Sequence, residues 1–208
     1  GFVWLDVDVV GRAAHGSRPE VGVDAIRNAG RFLTALDALD HLLSSRPAHP
    51  LLGHGSWHAG TITGGAAPSV YPERCTLSLE RRTLPGETAR QVVAEFEEVA
   101  RALRERVPEV DLQVRVTLER PGTEVAGDHS LVVGLLDAAG AEGVVPRVEP
   151  MTAWVDAAFL NEAGVPAVCF GPGSIEQAHS ADEWVDTAEV LRCAVILRNF
   201  ARKFLGGA

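Results

Sequence analysis

The chain of 208 residues carries a formal net charge of -9, with 46% hydrophobic and 23% charged residues. That composition is ordinary for a globular protein, and the length lets roughly 70% of the unfolded surface be buried, in one large domain or two small ones. The acidic balance excludes a nucleic-acid binder, because phosphate neutralisation needs a basic face and the sequence has no Lys/Arg run. No uninterrupted apolar stretch approaches the roughly 20 residues of a membrane helix. Cys75, Cys169 and Cys193 show no Cys-x-x-Cys spacing and sit in apolar settings, so they are expected to be buried free thiols of a cytoplasmic protein.

In chain order, Val3, Leu5, Val7 and Val9 alternate with Phe2, Trp4, Asp6 and Asp8, which predicts a strand from Phe2 to about Ala13 with one buried face. From Asp24, the residues Ile26, Ala29, Leu33, Leu36, Leu39 and Leu43 recur every three or four positions. This predicts one amphipathic helix to about Ser44, stopped by Pro47 and Pro50. Two strands follow, Trp57 to Ile62 and Cys75 to Thr83, separated by a Gly64-Gly65-Ala66-Ala67-Pro68 loop. In the second, Cys75, Leu77 and Leu79 share one face, and Thr76, Ser78, Glu80 and Arg82 the other. Thr88-Ala89-Arg90-Gln91 is a capping box opening a helix with Val92, Phe96, Val99 and Leu103 on its inner stripe. Leu112, Val114, Val116 and Leu118 alternate in a fourth strand. The order β-α-β-β-α-β predicts a split β-α-β, ferredoxin-like layer over residues 1–118, an antiparallel sheet with two helices on one face.

After Pro121-Gly122 the pattern changes to α/β material over residues 119–208. Asp128 or Ser130 is expected to cap a helix through Leu136. A second helix is expected from Val155 to Ala163, with Asp156 either arranging the Phe170-Gly171-Pro172-Gly173 loop or, the preferred reading, capping the helix. Pro166 to Phe170 reads as a strand buried on both faces. Asp186 with Glu189 starts a last helix facing inward through Val190, Cys193, Ile196, Leu197 and Phe200.

Two histidine-bearing stretches carry the chemistry: Gly11-x-x-Ala14-His15 with Pro19, and Phe170-Gly171-Pro172-Gly173 followed by His179 and Glu183. With Pro72 and the segment Glu80 to Arg82, in this order and spacing, the chain resembles the M20 family of zinc-dependent peptidases and deacylases over nearly its whole length. The resemblance implies a lid or dimerisation domain over residues 1–118 and the closing part of an α/β catalytic domain over residues 119–208. It also implies amide hydrolysis of an N-acyl amino acid or small peptide with a free carboxylate.

The resemblance further implies roles for single residues. His179 matches the last zinc ligand of a two-zinc site, with cobalt or manganese as possible alternatives. His15 matches a histidine that reaches from the partner subunit to the substrate's oxyanion, which makes a homodimer the expected assembly. Arg82 matches a substrate-carboxylate ligand; the alternative is an ion pair with an acidic neighbour. Gly171 and Gly173 would let backbone approach substrate or metal, and a tight turn explains them equally well. Ser69 stands where many members carry asparagine, so only a weaker hydrogen bond is carried across.

The family's other metal ligands and its general base lie in a segment that would precede Gly1. The histidines His15, His41, His49, His54, His58 and His129 do not group with carboxylates as replacements. The chain is therefore expected to be a C-terminal portion that, by itself, binds zinc poorly and hydrolyses nothing. A non-catalytic module that dimerises or binds a carboxylated metabolite through Arg82 is the alternative, and a member that has lost its metals and only senses ligand is a third reading.

Overall fold

The computed structural model describes residues 1–206, in two compact units, the first over residues 1–123 and the second from Glu124 onward. In the first, β1 (Phe2–Val10), β2 (Ser56–Gly64), β3 (Arg74–Arg82) and β4 (Asp111–Arg120) form an antiparallel sheet in the order β2-β3-β1-β4. This is the expected split β-α-β topology. Helices α1 (Ala25–Ala35), α2 (Asp37–Ser45) and α3 (Ala89–Arg106) pack against it. The period-2 pattern decides which face they cover: Val3, Leu5, Val7 and Val9 of β1 and Cys75, Leu77 and Leu79 of β3 are all buried. Phe32 of α1 and Phe96 of α3 are fully buried in the same core, each worth about 1.5–3 kcal/mol of apolar burial.

Local chemistry sets the helix starts. Asp24 accepts from the Arg27 N–H at 2.9 Å, and Thr88 and Gln91 form the full capping box ahead of α3. The single helix expected over 24–44 is two, meeting at Leu36. The Leu39 N–H bonds the Leu36 carbonyl three residues back, and the Thr34 hydroxyl donates to the Gly30 carbonyl at 3.1 Å, a back-bond that bends helices. Leu36, Leu39 and Leu43 stay buried across the bend, whereas Ile26, expected inward, is exposed and Asn28 takes an inward place.

The first strand ends at Val10, short of Ala13. Gly11 N–H bonds the Glu73 carbonyl at 2.8 Å and Arg12 bridges to Val23. A Cβ at Gly11 would lie 2.3 Å from the Val23 oxygen and 2.6 Å from the Pro72 oxygen, so only glycine lets the three segments converge.

The inward alternation of β3 continues past Leu79 to Arg81, which is fully buried. Its guanidinium bonds Glu95 at 3.1 Å and Glu87 at 2.9 Å, and donates to the Arg82 carbonyl. Arg46 meets the same two carboxylates, at 2.5 Å from Glu95 and 3.3 Å from Glu87. Burial alone pushes Glu87 up. Hydrogen bonds from the Leu84 N–H and Arg81, with the charges of Arg81 and Arg46, instead hold its carboxyl below the usual carboxylate range. The network ties β3, α3 and the end of α2 together.

In the second unit, α4 (Ser130–Ala141) and α6 (Thr187–Gly206) pair around Ala138, Ala139 and Ile196, with α5 (Ala157–Glu162) between them in sequence. Neither Asp128 nor Ser130 caps α4: His129 does, its Nδ1 accepting from the Leu131 N–H at 3.1 Å. Asp156 stands at the N-cap position of α5 but is helical there and makes no capping bond. The expected strand Pro166–Phe170 does not form. The Asn161 side chain satisfies both backbone groups of Ala167, at 2.8 and 3.0 Å, and Val165, Val168 and Phe170 are exposed. Val190 and Leu197 of α6 are likewise exposed. Of the cysteines, Cys75 is buried, and burial followed by the nearby Asp24 charge pushes its thiol up; Cys193 is half-buried and Cys169 exposed, contrary to expectation. No helix among the described residues is long and apolar enough to cross a membrane.

Candidate functional site

His15 leaves β1 on a loop that is laced to the segment before β3. Gly16 N–H donates to the Ser69 carbonyl at 2.7 Å, Tyr71 N–H to the Ala14 carbonyl at 2.8 Å, and His15 bridges to Val70. Gly22 lies under the Tyr71 ring, where a Cβ would come within 2.5 Å of it. Two residues singled out separately in the sequence, His15 and Ser69, are thereby brought side by side. The His15 ring is exposed, with Nδ1 against Ser17: the Ser17 N–H donates to it at 3.2 Å and the Ser17 hydroxyl oxygen lies 2.8 Å away. Nε2 has no hydrogen-bond partner among the described residues.

Arg82 lies at the opposite end of the sheet. Phe2 pairs with Arg82 and Val10 with Arg74, so the eight intervening steps of β1 separate the two ends by about 26 Å at ~3.3 Å per residue. Arg82 projects from the polar face, stacks 5.5 Å from the Phe2 ring centre and pairs with Glu80 at 3.3 Å. The other Glu80 oxygen accepts from the Trp4 indole N–H at 2.7 Å. The ion pair left open by the sequence is therefore present, with an in-strand neighbour two residues back. At 31% side-chain exposure, the guanidinium is also within reach of an anion from solvent.

The same open face carries two further polar pairings. Asp6 accepts from Ser78 at 3.0 Å and pairs with Arg115 at 2.9 Å; Asp8 accepts from Thr76 at 2.8 Å and pairs with Arg74 at 3.0 Å. The Thr76 hydrogen bond and Arg74 hold the Asp8 carboxyl below its usual range.

In the second unit, His179 is exposed and is the only non-glycine residue with positive φ among those described, at 64°. A histidine held there is strained, and such strain concentrates at functional positions. Its N–H is held by the Glu183 carboxylate at 3.2 Å. Gly173 is also left-handed, φ 81°, and its N–H donates to Glu189 at 3.0 Å; that conformation requires glycine. Gly171 is exposed, with nothing within 4 Å of a Cβ placed there. Among the described residues no group of three or more His, Cys, Asp or Glu side chains can hold a metal ion, so the residues present do not make a zinc site.

Sequence reading missed Arg81 and Ser17. Arg81 had a usable signal, its inward phase in the strand alternation. Ser17 had none, since its role follows from the loop's conformation.

Comparison with known proteins places these features. Residues 1–107, more than half of the chain, match a peptidase dimerisation domain. An acetylornithine deacetylase of Myxococcus xanthus is 31% identical over 100% of this chain and 54% of its own length. Another, from Buchnera aphidicola, is 27% identical over 98% and 52%. The chain thus spans about half the length of the curated relatives it matches. Among solved structures, the aminopeptidase PepT of Bacillus cereus superposes with a TM-score of 0.75 at 20% identity, covering 96% of this chain and 50% of its own. The yeast di-peptidase Dug1p does so with a TM-score of 0.71 at 11% identity, over 98% and 54%. At these identities the structures speak for the fold.

Proposed function

Because the chain belongs to the M20 peptidase dimerisation-domain family, we propose that it is the lid and closing catalytic portion of a metal-dependent amidohydrolase. In this reading residues 1–118 form the dimerising lid and residues 119–208 complete a catalytic domain with residues that this chain does not contain. The substrate is an N-acyl amino acid or small peptide with a free carboxylate. Support for the deacylase class comes from the names of the relatives matched along the whole chain. Zinc, or alternatively cobalt or manganese, is carried over from the resemblance. His179 matches a ligand position, but the described residues assemble no metal site by themselves.

The chain's own residues bind and orient the substrate in this reaction. The His15 ring donates from Nε2 to the substrate carbonyl oxygen as negative charge grows there, a contribution of a few kcal/mol in comparable oxyanion sites. The Arg82 guanidinium exchanges Glu80 for the substrate carboxylate, making paired hydrogen bonds. Ser69, beside His15, offers a hydroxyl to the same end of the site. Gly171 and Gly173 keep side chains out of the way of the bound substrate. The cytoplasm is the compartment in this reading, supported by three cysteines that all stand free.

The observation that carries the reading is that His15 follows the Val10 end of β1 while Arg82 pairs with its Phe2 end. With the ends of β1 about 26 Å apart, a His15 beyond one end and an Arg82 paired at the other are too far apart to share one small substrate, so a site using both draws them from two copies of the chain, as a dimerising lid would arrange. The test is complementation in the whole enzyme. His15→Ala and Arg82→Ala homodimers should both be nearly inactive. Co-expressed and mixed, half the dimers are hybrids with one intact site of two, so about a quarter of wild-type activity should return. No recovery above the parent variants, with hybrids present by mass, would mean that the two residues do not serve one site across the interface.

A further inference from the structure

We propose that Ser17 is the positioning residue that fixes the His15 ring as the tautomer with its proton on Nε2. The inference rests on the donor role given above to His15, and it concerns how that donor is kept ready. A backbone N–H can only donate, so the Ser17 N–H aimed at Nδ1 at 3.2 Å requires Nδ1 to be an unprotonated acceptor. The Ser17 hydroxyl, 2.8 Å from the same nitrogen, rotates freely and donates as well; the reverse arrangement would set two N–H groups against each other. With Nδ1 occupied twice, the ring proton resides on Nε2. That nitrogen has no hydrogen-bond partner among the described residues and lies on an exposed ring.

The rest of the loop makes this geometry durable. The Arg18 N–H bonds the His15 carbonyl at 2.8 Å, closing a turn around Ser17. Gly16 and Ala14 on either side of His15 are fastened to Ser69 and Tyr71. The backbone beneath the ring is therefore held from two sides, and Ser17 has only the ring's orientation and tautomer left to decide. For a group that donates to an oxyanion, this is the setting that matters, because the wrong tautomer presents a lone pair to a developing negative charge.

The test is ¹⁵N NMR of the full chain labelled on histidine, with the His15 ring neutral and its signals assigned by their loss in His15→Gln. In the wild-type chain Nδ1 should appear in the unprotonated, pyridine-like position and Nε2 in the protonated, pyrrole-like one. Ser17→Ala removes one of the two donors and should lower the Nε2–H to Nδ1–H ratio about three- to tenfold, the range expected for one hydrogen bond. Ser17→Thr should restore it. In the whole enzyme kcat should fall in parallel in Ser17→Ala, with KM unchanged, and recover in Ser17→Thr. A protonated Nδ1 in the wild type, or a ratio indifferent to Ser17→Ala, overturns the inference whatever the kinetics. A correct tautomer together with an unchanged kcat in His15→Ala would instead overturn the donor role of His15.

Discussion

Arg81 and Arg82 are neighbours of the same type on one strand, and the structure predicts opposite consequences for losing them. Arg81 is fully buried between Glu95, 7% exposed at its side chain, and Glu87, 19% exposed. Truncation to alanine leaves two carboxylates in a low-dielectric setting with Arg46 as the remaining cation and, for Glu87, the Leu84 N–H. Breaking a buried pair by removing one partner costs about 3–5 kcal/mol. Arg46 still lies 2.5 Å from Glu95, which places the expected loss near the lower end, about 3 kcal/mol. With a urea slope of about 2 kcal/mol/M for a unit of this size, the unfolding midpoint should fall by about 1.5 M.

Arg82→Ala removes a partly exposed pair with Glu80 and should cost about 1 kcal/mol or less. The double variant Arg81→Met/Glu95→Leu replaces the buried charges with apolar volume and leaves Glu87 its pairing with Arg46; it should regain most of the lost stability. Urea unfolding of the three variants, followed by far-ultraviolet circular dichroism, decides the matter. An Arg81→Ala midpoint within the range of Arg82→Ala, or a double variant no better than the single, would refute the account of the network as a set of mutually dependent buried charges.

Further expectations concern the loop, the pH response and the strained histidine. Gly11→Ala presses a Cβ onto the Val23 and Pro72 carbonyl oxygens, backbone atoms with little freedom to yield. It should cost about 1–3 kcal/mol and increase hydrogen exchange at the Gly16 and Tyr71 amides; unchanged protection there would show that the loop is not anchored at Gly11. The Glu87 carboxyl, held below its usual value of 4.5, contributes stability that is fully present above that value and is lost as pH falls through its lower folded value. The melting-temperature gap between wild type and Glu87→Gln should accordingly narrow as the pH is lowered from neutrality to below 4.5, and a constant gap would contradict it. His179→Gly relieves a left-handed side chain, so the chain should be unchanged or more stable by up to about 1 kcal/mol, whereas His179→Val should lose stability. Equal melting temperatures for the two would argue against strain at this position.

What the sequence could and could not decide follows from the range of the interactions involved. Neighbouring residues suffice to write Val3-Leu5-Val7-Val9 as a one-sided strand and Thr88 with Gln91 as a helix start, because periodicity and capping act within one turn or one pleat. The bend at Leu36 went unread because the apolar spacing continues through it without a break. The false strand at Pro166–Phe170 failed for a related reason: an apolar run says nothing about whether a paired neighbour is at hand to take its backbone groups. The site residues His15, Ser69 and Arg82 could be picked out by motif, yet only the registered sheet joined His15 to Ser69 and set Arg82 at the far end. Arg81 shows the same division. Its inward phase was written in the strand alternation, but a buried guanidinium is tolerable only where Glu87, Glu95 and Arg46 converge from other elements. Sequence settles the segments whose periodicity and caps are complete in themselves, such as β1 and the start of α3; folding alone fixes which charges and donors meet, since those pairings join residues far apart along the chain.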